Sequence, residues 1–130
     1  MRMEAGTGAR ARGASECACD RGTYRVLVAI CAVGAACALA ASVLMLLGPT
    51  DGMSWSRLAP MLANGVANAA AAALACLGRP PRAVAAAGFV AGAFLVVWCA
   101  AELLLFRNAL AAGYLVIGLL QTAFAVQLRR

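Results

Sequence analysis

The side chains able to do chemistry are few, and their types narrow what this chain can be. Five acids occur, Glu4, Glu16, Asp20, Asp51 and Glu102, and only Glu102 lies near a long apolar run. There is no His and no Lys, and all 11 basic residues are Arg. Without His, the usual general base near neutral pH and the commonest metal ligand are missing. Without Lys, there is no phosphate-cradling lysine and no Schiff-base amine. No G-x-G-x-x-G loop, G-x-S-x-G elbow or H-E-x-x-H motif occurs in the sequence. This inventory predicts a protein that is not an enzyme, with no catalytic residues, no metal site and no cofactor.

What remains is a small set of polar residues inside or beside apolar runs: Asn64, Asn68, Glu102, Tyr114 and Gln121. Asn64 and Asn68 are four apart and share a helix face, which Ala71 and Ala75 continue. Leu58, Leu62, Val66 and Leu77 are assigned to the opposite, lipid-directed face. In the next run Gly88, Ala91, Leu95, Trp98 and Glu102 align at about 100° per residue. There the Gly88-x-x-x-Gly92 spacing lets another helix approach closely, within the bundle or from a second copy. Tyr114, Gly118, Gln121 and Ala125 form a comparable face in the last run.

At about 1.5 Å of rise per residue, these faces stack into two layers. Glu102, Asn64 and Tyr114 fall roughly 6–9 Å below one membrane surface, and Asn68 and Gln121 fall near the midplane. The amides read first as interhelical glue and second as the lining of a path. A carboxylate inside a membrane helix is a candidate proton or cation site. The preferred placement ends the third helix near Ala101 and leaves Glu102 at the headgroups beside Arg107, because a carboxylate near a helix end reaches water cheaply.

These residues need long apolar elements to hold them, and the composition supplies them. Of the 130 residues, 65% are hydrophobic and 12% charged, whereas a soluble domain is about half apolar and about a quarter charged. A bilayer core requires about 20 apolar residues in a helix, and only helices satisfy their own backbone as single open spans. Four such spans fit, at about 26–47, 58–78, 83–104 and 108–128. The expected fold is therefore an all-α membrane protein, a four-transmembrane-helix bundle with short loops. Residues 1–23 read as a basic, disordered cytoplasmic tail, 24–128 as the membrane domain and 129–130 as the C-terminus.

Gly48-Pro49-Thr50-Asp51-Gly52 and Gly78-Arg79-Pro80-Pro81-Arg82 are the turn-rich breaks. Pro60 is assigned to the first turn of the second helix, where a missing N–H costs little. That second helix is Ala-rich and short of large hydrophobes, so its own partition into lipid is weak.

Nine arginines flank one side of the expected bilayer and only Arg57 and Arg107 the other. The positive-inside rule then places both termini in the cytoplasm. The net charge of +6 thus reads as topology and as contact with anionic headgroups, and nucleic acid is not an expected partner. Of the six cysteines, Cys31, Cys37, Cys76 and Cys99 fall in spans, while Cys17 and Cys19 precede the first. That juxtamembrane position suits S-palmitoylation. Trp55, Trp98 and Phe106 are read as an aromatic belt.

The leading expectation is a multi-pass integral membrane protein without catalytic activity. It would act through helix–helix contacts, with other membrane helices or with itself, in membrane assembly, trafficking or organisation. The alternative is a small oligomeric transporter or channel using Glu102 with Asn64, Asn68 and Gln121.

Overall fold

The computed structural model describes residues 5–48, 55–107 and 109–130, with side chains from Asp20 onward. All regular structure among them is helical: α1 (Ala5–Leu47), α2 (Trp55–Cys76), α3 (Pro81–Phe106) and α4 (Ala109–Arg129). All four are long and apolar enough to cross a membrane, α1 through its portion Asp20–Leu47. The side chains of Cys17 and Cys19, residues 49–54 and Asn108 lie outside the described residues.

Helix boundaries follow local chemistry. α1 begins well before its apolar run, through the segment expected to be a disordered tail; residues 5–19 include five Ala and two Arg, good helix formers, and contain no Pro. α2 ends in a Schellman arrangement. The Arg79 amide donates to the Leu74 carbonyl at 3.0 Å and the Gly78 amide to Ala75 at 3.1 Å, with Gly78 in the left-handed region at φ 65°. Pro80 caps α3 and Pro81 occupies its first position, where no N–H is needed. α2 starts at Trp55, earlier than expected, so Pro60 falls in the second turn instead of the first.

Arg107 closes α3 in the left-handed conformation (φ 48°, ψ 39°), its amide donating to the Leu103 carbonyl. A side chain costs about 1–2 kcal/mol there, so Arg107→Gly is expected to raise stability by up to about 1 kcal/mol. Reversible unfolding in mixed micelles measures this, and a loss of stability would contradict it.

The packing divides the chain into two antiparallel hairpins. α3 and α4 pack together most extensively, and α1 and α2 form the other close pair. α2 meets α3 less extensively, α1 meets α4 along a shorter stretch, and α1 and α3 touch little. Near the 77–80 connection the hairpins meet in a core drawn from all four helices, Leu27, Cys31, Ala71, Ala85 and Ala125. Toward Arg107 the second core, Leu95, Cys99 and Ala111, comes from α3 and α4 alone. The hairpins therefore close together at one end and part at the other.

The outside of the bundle is apolar. Leu44, Leu47, Leu77, Leu104, Leu105 and Leu110 are each more than 70% exposed, a surface suited to lipid and costly in water. α2 turns Gly65, Asn68 and Ala71 inward, as its polar stripe predicts, but Leu58 is also buried. The assignment of Leu58 to the lipid face is corrected. It lies about 80° around the helix from Asn68 at 100° per residue, within reach of the packed side, whereas Val66 and Leu77 do face outward.

Candidate functional site: a polar node below a carboxylate-bearing cavity

Where the hairpins close, one side chain ties the four helices together. Gln121 of α4 is 1% exposed, and its Nε2 donates to Asn68 Oδ1 on α2 at 2.8 Å. The same nitrogen reaches the Gly88 carbonyl of α3 at 3.2 Å and Cys31 Sγ of α1 at 3.4 Å. Asn68 Nδ2 donates onward to Asn64, to its carbonyl at 3.0 Å and its Oδ1 at 3.1 Å. The donor sequence fixes each amide: reversing Asn68 would set its NH₂ against that of Gln121. Among the described residues no buried side-chain nitrogen or oxygen lacks a hydrogen-bond partner, as a low-dielectric interior requires.

Small residues allow this convergence. A Cβ on Gly88 would come within 3.3 Å of Leu27, so α1 passes close to α3 beside the carbonyl that Gln121 uses. Gly92 faces α4, where a Cβ would meet Thr122 Oγ1 at 2.7 Å and the Gly118 carbonyl at 3.2 Å. The Gly88/Gly92 pair is thus spent inside one chain, each glycine against a different helix. Thr122 and Ser42 return their hydroxyls to carbonyls one turn back, Gly118 and Ala38, each at 2.8 Å.

Above the node, toward Arg107, the parted hairpins enclose a cavity of about 690 Å³. Asn64, Glu102 and Tyr114 all reach its wall, and Asn68 and Gln121 add the amides of the node to it. The structure therefore pairs Asn68 with Gln121 directly and gathers the other three around one space. Glu102 is half-buried and shares the cavity with Trp98 and Arg57, while Arg107 is exposed and absent from the wall. Trp98 is half-buried there, whereas Trp55 and Phe106 are 69% and 66% exposed.

Two members of the site carry little signal in the sequence. Cys31 reads as a packing residue, and the Gly88 acceptor is a backbone atom. Only the rotation of each helix about its axis makes them partners of Gln121. Cys31 and Cys99 are buried, and Cys37 and Cys76 are exposed. No three Cys, Asp or Glu residues converge among the described residues in a way that could hold a metal ion. At the other end Arg129 stands 5.7 Å from the Phe89 ring centroid, a cation–π contact between α4 and α3. Comparison with known proteins finds no matching family model, no matching curated protein and no matching solved structure.

Proposed function

We propose that this chain is a multi-pass integral membrane protein without catalytic activity, with both termini cytoplasmic, acting through helix–helix contacts in membrane assembly, trafficking or organisation. The observation that carries this reading is the use made of the intramembrane amides. Asn64, Asn68 and Gln121 are bonded to one another across α2 and α4, so the amides that also line the cavity use their hydrogen bonds to cohere the bundle. The faces left outward are apolar, and on α2 they are also smooth: Ala59, Ala63, Ala70 and Ala73 are all exposed. Without a strong hydrophobic drive in lipid, close packing on small residues is a main source of helix association. Anionic headgroups on the arginine-rich side are the expected lipid contacts.

Ala63→Leu with Ala70→Leu alters that outer face without entering the core. Affinity capture from native membranes in mild detergent is expected to recover a second copy or another membrane protein with wild type, and several-fold less with the double variant. Recovery of the chain alone in both would contradict the reading. The cavity favours a second reading, a small oligomeric transporter or channel using Glu102, Asn64, Asn68 and Gln121. Cation flux by reconstituted wild type, lost in Glu102→Gln, would replace the first reading with this one.

A further inference from the structure

We infer that the cavity between the hairpins is a binding site for an amphipathic organic monocation, with the cationic centre against Glu102 and the apolar body against Trp98 and the aliphatic wall. Three observations point to this class. The volume, about 690 Å³, lies within the roughly 300–1,000 Å³ typical of sites for drug-sized molecules. The wall is mostly aliphatic and aromatic, with Phe94, Leu95, Ile117 and Met61 among its residues, which suits an apolar body. Into this wall projects one acidic side chain. Glu102 is half-buried and lines this cavity, so part of the side chain stays exposed to a ligand seated there.

A carboxylate in a membrane-depth cavity is stabilised by a partner cation. Trp98 stands one turn from Glu102 on the same face of α3, and Tyr114 faces the same space from α4. Aromatic faces add attraction for a cation that has shed its water. Arg57 also reaches the wall, but it is the third residue of α2 and exposed, so water or headgroups solvate it. Asn68 and Gln121, bonded to each other at 2.8 Å, add a neutral polar patch to the same wall.

The test uses the full chain in nanodiscs of zwitterionic lipid, on a Trp55→Phe background that leaves Trp98 as the sole tryptophan. Tetraphenylphosphonium is the probe, and tetraphenylborate, nearly identical in shape but opposite in charge, is the control. Tetraphenylphosphonium is expected to quench Trp98 saturably at one per chain. Glu102→Gln should weaken it at least about tenfold, and Glu102→Asp, which keeps the charge, should stay within about threefold of wild type. Circular dichroism and the unfolding midpoint establish that each variant is folded. No saturable quenching in wild type would overturn the inference. Equal affinity in Glu102→Gln, or tetraphenylborate binding as tightly as the cation, would do the same. The helix-contact reading does not depend on this result, since the Ala63/Ala70 variants read it separately.

Discussion

Replacing Gln121 with Met is expected to cost the bundle about 2–4 kcal/mol, the largest polar effect available to a single substitution in this chain. Met keeps the length of the side chain and removes every donor. The loss begins with the bonds to Asn68 and the Gly88 carbonyl, each worth about 0.6–2 kcal/mol between membrane helices. The weaker contact with Cys31 Sγ goes with them. The larger share comes from what stays behind: Asn68 Oδ1 is left without a donor in a site where Asn68 is 1% exposed, at a cost of about 1–3 kcal/mol. Unfolding in dodecyl maltoside titrated with sodium dodecyl sulfate reads the difference.

The companion variant separates a lost bond from an orphaned group. Asn68→Leu is close to isosteric, and combined with Gln121→Met it removes both partners. Asn64, relieved of Asn68, is only half-buried at the cavity wall and can be solvated. The double variant is therefore expected to be no less stable than Gln121→Met alone, because paired apolar replacement avoids the orphan. A Gln121→Met protein within about 0.5 kcal/mol of wild type would show that the node contributes little.

The second large effect concerns the α3–α4 seam. A Cβ on Gly118 would lie 3.0 Å from Val96 Cγ2 and 3.2 Å from both the Gly92 carbonyl and the Val96 nitrogen. Two of these three are backbone atoms, so relief requires the helices to part. Gly118→Val is expected to destabilise by about 2–4 kcal/mol, above the usual overpacking range of about 1–3. Because Gln121 lies one turn along α4, the same displacement strains its bond to the Gly88 carbonyl. Gly113 supplies the contrast on the same helix: a Cβ there meets nothing within 4 Å. Gly113→Ala should be neutral or stabilising by up to about 1 kcal/mol, the helix-propensity gain alone. Equal effects at positions 113 and 118 would mean that the seam is not what constrains α4.

The readable and unreadable parts of this protein divide along a physical line. The number of helices and the place of each membrane-length stretch follow from apolar runs separated by Gly, Pro and Arg. These are local properties, and all four helices lie where the runs lie. Inward faces were legible where one residue type is costly to expose: Asn68 and Gln121 have few good places in a membrane helix besides another polar group. The burial of Leu58 is not legible, because an aliphatic side chain is content in lipid or in protein and its type carries no directional signal. The cavity position of Trp98 is equally illegible, since an indole suits an interface and a cavity wall alike.

The acids, amides and arginines thus announce the class of protein and its polar residues by chemistry alone. They do not announce that Gln121 would meet Asn68, Gly88 and Cys31 at one point, nor that Glu102 would share a cavity with Trp98 and Arg57. Those meetings depend on the rotation of each helix about its axis and on the depth at which the hairpins abut. Rotation and depth are set by where glycine permits backbones to touch, at Gly88 against Leu27 and at Gly92 against Gly118. Each such contact joins residues far apart in the chain. Periodicity within one helix defines a face, and only the packing of four helices decides what that face meets.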